Sequence, residues 1–376
     1  MKTIAIVIHN TWQGYNFRLN LARGLQKNGY KIVFISPFDA KYTPLIEKEF
    51  EFHDIYFDAK GVNPIRDIQT MFALHKIYKN VQPDLVLNFS IKANIYSSIV
   101  SGMMNIKSIS NITGLGTIFV QENLLTKIAT LLYKYALSFN SIIFFQNRDD
   151  KELFLSKKLV KLENTGLLPG SGVDLNKFEP KNKKSSDGKF TFLLIARLLR
   201  DKGIYEYIDA IKIVQKKFND VEFQLLGAAD FANKTAISKK QALQWVDEGL
   251  IDYLGVTDKV QEVIAQSDCV VLPSYYREGV PRSLLEACAM QKAIITTNAI
   301  GCREVIDDGI NGYVCEVKSA KDLADKMEKM LNLSELEREK LGVAGREKML
   351  REFDEKIVIE KYLLTIKNIF QEDSKA

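Results

Sequence analysis

Cys269-Val270-Val271-Leu272-Pro273-Ser274 leads, three residues later, into Glu278-Gly279-Val280-Pro281-Arg282-Ser283-Leu284-Leu285-Glu286, and the reading of this stretch decides the fold. An apolar run closed at once by Pro and Ser reads as a buried parallel strand ending in a loop. The residues from Glu278 onward read as a Gly-x-Pro turn and the first turns of a helix. In open α/β sheets ligands sit beyond the carboxyl ends of the strands, and the N–H groups that open a following helix attract phosphate. The two carboxylates would repel phosphate but accept hydrogen bonds from hydroxyls at charge-assisted strength. The combination implies a ligand with both phosphate and hydroxyls, a sugar nucleotide. A general acid and base pair, as in hydrolysis, is the rival chemistry for two flanking carboxylates.

Outward from this stretch, short apolar runs alternate with amphipathic ones, the pattern of β-α-β units and parallel sheets. In the first half the expected strands are Ile4–Ile8, Ile32–Ser36, Asp84–Asn88, Ser108–Ile112 and Ile142–Phe145. In the second they are Phe190–Ile195, Glu222–Leu226, Ile251–Leu254, Cys269–Leu272, Ala293–Thr297 and Gly312–Val317. Two Rossmann-like domains are implied, with the junction at Leu167–Gly172, where Pro169, Gly170 and Gly172 break regular structure. Lys181–Gly188 reads as a loop within the second domain, and 334–350 and 354–370 read as charged helices.

A chain of 376 residues is too long for one ordinary core and suits two domains. The first apolar run is too short for a signal peptide, and no stretch approaches the ~18 apolar residues of a membrane span. A cytosolic or peripheral protein is expected. Cys269, Cys288, Cys302 and Cys315 lack the close pairs of zinc and redox motifs and read as reduced core thiols. With His only at 9, 53 and 75, a multi-histidine metal site is not expected. Charge is uneven. Residues 1–170 hold 20 Lys and Arg against 13 Asp and Glu, whereas 171–376 hold 32 against 34. The basic first half suggests an anionic partner such as a lipid surface or a diphosphate. Nucleic acid is not expected, for no aromatic-basic stripe or helix-turn-helix block occurs.

Glu278 and Glu286, with Ala196-Arg197-Leu198-Leu199-Arg200-Asp201-Lys202-Gly203 after an apolar strand and Gly170-Ser171-Gly172-Val173-Asp174 at the junction, resemble the family-four retaining, nucleotide-sugar-dependent glycosyltransferases. The resemblance implies the GT-B fold, two Rossmann-like domains facing a central cleft. It implies an acceptor-binding domain over 1–167, joined by a C-terminal helix at about 355–376, and a donor-binding domain over 168–354. Asn16-Phe17-Arg18 and Ile112-Thr113-Gly114-Leu115-Gly116 resemble the narrower group of N-acetylhexosaminyltransferases that extend polyprenyl-diphosphate-linked sugars. That group includes enzymes adding α-1,3-linked GalNAc, from UDP-GalNAc, to diacetylbacillosamine on undecaprenyl diphosphate in bacterial protein N-glycosylation. Such an enzyme works as a peripheral protein at the cytoplasmic face of the inner membrane, its N-terminal domain against anionic lipid.

The resemblance gives Glu278 the donor sugar's hydroxyls and Glu286 the ribose. Arg197 and Lys202 meet the diphosphate, where fixed cations stabilise the charge that develops as it leaves. Backbone N–H groups across Gly279, Val280, Pro281 and Arg282 are expected at the diphosphate or sugar. In the first domain, the stretch Trp12-Gln13-Gly14-Tyr15 is expected to be a loop in which Gly14 lets backbone approach a diphosphate, with Tyr15 and Arg18 on the acceptor. Thr113-Gly114 stands where many relatives carry a His facing the donor sugar; this chain has none, leaving Thr113 or the Gly114 backbone. No Asp-x-Asp motif occurs, so metal-independent transfer is expected. Asn123–Leu137 is amphipathic, with core packing and membrane contact as the two readings. A hexosyltransferase of another surface-polysaccharide pathway, a sugar-nucleotide epimerase and a non-catalytic sensor are the alternatives.

Overall fold

The computed structural model describes residues 1–58, 63–115, 124–181, 188–229, 233 and 235–373. Gly116, Asn123 and most of the Lys181–Gly188 stretch therefore lie outside the described residues. Two compact units emerge: residues 1–171 with 355–376, and residues 172–354.

The strands are β1 (Thr3–Ile8), β2 (Lys31–Ser36), β3 (Glu51–Asp54), β4 (Leu85–Phe89), β5 (Lys107–Ile112), β6 (Ile142–Phe145) and β7 (Thr165–Leu167) in the first unit. The second has β8 (Phe190–Ile195), β9 (Val221–Leu226), β10 (Asp252–Gly255), β11 (Cys269–Leu272), β12 (Ala293–Thr297) and β13 (Gly312–Cys315). The helices, in chain order, are α1 (Thr11–Lys27), α2 (Thr43–Glu47), α3 (Pro64–Val81), α4 (Ser98–Met103), α5 (Leu124–Leu137), α6 (Arg148–Ser156), α7 (Ile204–Val214), α8 (Lys239–Asp247), α9 (Val260–Gln266), α10 (Arg282–Ala289), α11 (Ala320–Leu331), α12 (Glu335–Lys348) and α13 (Glu355–Asp373). Side-chain caps set many of their starts: Asn10, Asn63 and Asn147 in the first unit, Ser238 and Ser319 in the second, and a reciprocal Ser334–Glu337 box at α12.

Both sheets are parallel. The first runs β3-β2-β1-β4-β5-β6-β7 and the second β10-β9-β8-β11-β12-β13. In each the order of strand addition reverses once, between β1 and β4 and between β8 and β11, and ligands of open α/β sheets bind at such switch points. The two switches are built alike. Asp84 ahead of β4 accepts from the Thr3 N–H at 2.7 Å, and Asp268 ahead of β11 accepts from the Thr191 N–H at 2.7 Å. Register is pinned there, with Ile4 opposite Leu85 and Cys269 opposite Phe192.

Strand residues alternate between two helical layers, so both faces of each sheet are apolar. In the first unit Ala5, Val7, Val33 and Ile35 pack under α3–α6, while Ile4, Ile6, Ile32 and Phe34 pack under α1, α2 and α13. In the second, Phe192, Leu194 and Val271 meet α7, α8 and α11, while Leu193, Val270 and Leu272 meet α9 and α10. All four cysteines are buried and unpaired.

Candidate functional site

Three loops converge at the switch point of the second sheet. After β8, Ala196 donates to the Leu226 carbonyl at 3.0 Å, tying the chain to the end of β9, and a 3-10 turn over Arg200–Lys202 leads to Gly203 in the left-handed region at φ 76°. A side chain at Gly203 would overlap the Pro273 carbonyl, so glycine lets this turn lie directly on the loop after β11. That loop grips the turn in return. The Asp201 carbonyl accepts from the Tyr275 and Tyr276 N–H groups, at 3.0 and 2.9 Å, and from the Ser274 hydroxyl at 3.3 Å.

The result is a direct contact between the Lys202 ammonium and the Glu278 carboxylate, with side-chain exposures of 10% and 16%. Lys202 also lies 4.9 Å over the Tyr276 ring. Burial and then the nearby Arg197 guanidinium pull the Lys202 pKa down to about 7. Cys302 and the Asp201 carboxylate act the other way, more weakly. Arg197 itself is exposed.

The third loop, after β12, carries no motif that the sequence announces. Gly301, at φ 86°, is so close to the Glu278-Gly279 backbone that a Cβ there would overlap the Gly279 carbonyl oxygen. It fixes where Glu278 stands. The Gly301-Cys302-Arg303-Glu304 turn offers only an unremarkable glycine as a signal.

Glu286 sits one turn into α10, buried, its Oε1 3.1 Å from Arg282 Nη2 and 3.2 Å from Arg282 Nε. Burial pushes its carboxyl up and Arg282 pulls it back. Arg282 also donates to the Gly172 carbonyl at 2.8 Å, so its side chain braces the helix start. Pro281 is the residue before α10 and lacks an N–H, so the expected row of backbone donors runs through Gly279, Val280 and Arg282 without it. Val280 is turned into the core.

The first-unit candidates divide. The loop expected at Trp12–Tyr15 is instead the first turn of α1, because Asn10 caps it by accepting from the Gln13 N–H. Gly14 donates its N–H to the Asn10 carbonyl at 3.1 Å, which leaves it no N–H for a diphosphate. Tyr15 packs against Tyr42, the two rings tilted with their centres 5.5 Å apart. Arg18, 4% exposed, lies 4.2 Å over the Phe89 ring inside the unit, so an acceptor phosphate would have to reach a nearly buried guanidinium. Thr113 is exposed just past β5, followed by Gly114 at φ 113°.

Ser90 is a further residue with no sequence signal. It lies just after β4 at the first sheet's switch point with φ 86°, uncommon for a residue with a side chain, and its buried hydroxyl has no hydrogen-bond partner among the described residues. Among the described residues no group of three or more His, Cys, Asp or Glu is placed to hold a metal ion. None of the described helices is long and apolar enough to cross a membrane.

Residues 176–348 match the family of glycosyl transferases group 1, and residues 6–147 match the glycosyl transferase 4-like family. The chain is 28% identical, over 93% of its length and 94% of the relative's, to N,N'-diacetylbacillosaminyl-diphospho-undecaprenol alpha-1,3-N-acetylgalactosaminyltransferase of Campylobacter jejuni. It is 23% identical, over 73% of its length and 74% of the relative's, to UDP-Gal:alpha-D-GlcNAc-diphosphoundecaprenol alpha-1,3-galactosyltransferase of Escherichia coli. Among solved structures it is similar to Anabaena HepE in complex with UDP, with a TM-score of 0.79 at 16% identity over 98% of this chain and 100% of that one, a likeness of fold. The chain is a glycosyltransferase with the GT-B fold, belonging through its two units to the glycosyl transferase 4-like and group 1 families.

Proposed function

We propose that this protein is a retaining transferase that moves N-acetylgalactosamine from UDP-GalNAc to diacetylbacillosamine carried on undecaprenyl diphosphate, in assembly of a bacterial protein N-glycan. The observation that carries the reading is the Lys202–Glu278 contact at the second sheet's switch point, which brings a cation for a diphosphate and a carboxylate for sugar hydroxyls to one spot. The Campylobacter jejuni relative, similar over nearly the whole of both chains, supports the choice of donor sugar and acceptor.

In this scheme Arg197 and Lys202 bind the donor's diphosphate, Glu278 its sugar hydroxyls and Glu286 the ribose. Gly279, Val280 and Arg282 offer backbone N–H groups. The first unit holds the acceptor near Tyr15. The bond from the sugar's anomeric carbon to the β-phosphate oxygen breaks, its electron pair going to UDP. The acceptor hydroxyl oxygen bonds to that carbon on the same face, and its proton passes to the departing phosphate oxygen. Arg197 and Lys202 neutralise the charge that develops there, and no metal ion is assigned a part. The acceptor's lipid places the protein peripherally at the cytoplasmic face of the inner membrane.

The test is a panel of UDP-sugars with a short polyprenyl-diphosphate diacetylbacillosamine acceptor, read by product mass. Gain of one N-acetylhexosamine from UDP-GalNAc supports the reading. Transfer only of a hexose, or only to another acceptor, assigns the enzyme to a different surface-polysaccharide step, and isomerised donor without transfer makes it an epimerase.

A further inference from the structure

Three neighbouring helices of the first unit turn apolar side chains outward. α3 packs on α4, and α4 on α5, in the layer over one face of the sheet. Each end of this layer is anchored inward: Leu74 and Tyr78 of α3, and Tyr133, Ala136 and Leu137 of α5, are buried. A helix anchored in this way ordinarily shows water a polar face. Here the outer face of α3 carries Ile65, Ile68 and Phe72, and that of α5 carries Ile128, Leu131 and Tyr135 at the same spacing. Phe72 is 72% exposed and Leu131 67%, with Met103, 70% exposed, at the end of α4.

Charge on these helices is one-sided. Arg66, Lys76, Lys79, Lys127 and Lys134 are exposed. The sole acid in the three helices, Asp67, is buried and paired with Lys92 at 2.8 Å. A second protein surface would account for the apolar stripes but not for the missing acids. An anionic bilayer accounts for both, since apolar side chains enter the boundary between headgroups and acyl chains while Lys and Arg meet lipid phosphates. We propose that the outer faces of α3, α4 and α5 dock on an anionic lipid bilayer. This rests on the membrane-borne acceptor of the preceding reading and gives it a surface.

Sedimentation with vesicles of phosphatidylethanolamine and phosphatidylglycerol tests it, with neutral phosphatidylcholine vesicles as control and F72E/L131E and K127E/K134E as variants. The wild type is expected to sediment with the anionic vesicles, less with neutral ones and less in high salt. F72E/L131E is expected to lose at least about tenfold in partitioning. Both variants should keep the wild-type melting temperature and full transfer to a water-soluble acceptor. Should F72E/L131E melt lower, K127E/K134E, which alters exposed charge alone, decides. Variants that sediment like the wild type overturn this surface but leave the membrane-borne acceptor standing. A wild type that ignores anionic vesicles, or whose self-association the variants abolish instead, overturns lipid docking. Absence of transfer to any acceptor strikes the functional reading separately.

Discussion

The Lys202 ammonium and the Glu278 carboxylate touch across two loops that the sequence separates by 76 positions, and both side chains are nearly dry. A nearly dry ion pair is costly to break, because removing one partner leaves the other as an uncompensated charge. Its persistence at a sheet's switch point therefore points to a ligand that shares it. K202A and E278A are each expected to lose about 10²–10³-fold in turnover, the scale of losing one preorganised charge partner in a transition state. Circular dichroism establishes that each is folded; near-normal turnover in folded K202A would sink its role.

The same pair sets a pH dependence. Lys202 titrates at about 7, so its charge is lost as pH rises through that value. The kcat/KM for the donor is expected to fall above about pH 7 with loss of one proton. K202R, which stays charged, should abolish the fall. The stability effect has the opposite sense: unfolded Lys202 binds its proton up to about 10.5, so between 7 and 10.5 this group favours the folded state increasingly as pH rises. A profile flat from pH 6 to 9 in the wild type would count against Lys202 as the diphosphate cation.

Gly301→Ala tests the third loop. Its added methyl must displace the Gly279 carbonyl, and its backbone lies at φ 86°. A loss of about 1–3 kcal/mol in stability is expected, with a raised KM for the donor. Thermal melts and donor kinetics check it, and an unchanged KM would mean that Gly301 does not position Glu278.

Glu286→Gln keeps the shape but not the charge of the Arg282 partner. A rise of about tenfold in donor KM with a smaller change in kcat is expected, as befits a uniform contact to the ribose. Arg282→Ala leaves Glu286 buried without its cation and should cost about 3–5 kcal/mol of stability, read by denaturant unfolding.

Gly14→Ala separates a helical role from a ligand-binding one. A Cβ at Gly14 would meet Ile8 at 3.4 Å, an ordinary contact, and Ala favours the helix by about 1 kcal/mol. The variant should be as active as the wild type and no less stable. A selective rise in substrate KM would restore Gly14 to the site.

Much of the fold is legible in the sequence because buried parallel strands are continuous apolar runs: Ile142–Phe145, Phe190–Ile195 and Cys269–Leu272 stand at their expected bounds. The short strands β3 and β7 are not, since Glu51-Phe52-His53-Asp54 and Thr165-Gly166-Leu167 lie at sheet edges where one side needs no apolar cover. A Gly-x-Pro turn is visible as punctuation, as at Glu278-Gly279-Val280-Pro281, but the approach of Gly301 to Glu278 is a property of folded loops and leaves no local mark. The helical start at Trp12–Tyr15 is hidden for a similar reason: Gly14 suggests a loop, while Asn10, a strong cap, has already started the helix.

Calorimetric titration of UDP into the wild type, K202A and F72E/L131E decides whether the Lys202–Glu278 pair belongs to the donor site. Saturable one-to-one binding is predicted for the wild type, weakened at least about tenfold in K202A by loss of a charge-assisted contact, and unchanged in F72E/L131E. Equal affinity for UDP in wild type and folded K202A would contradict that assignment.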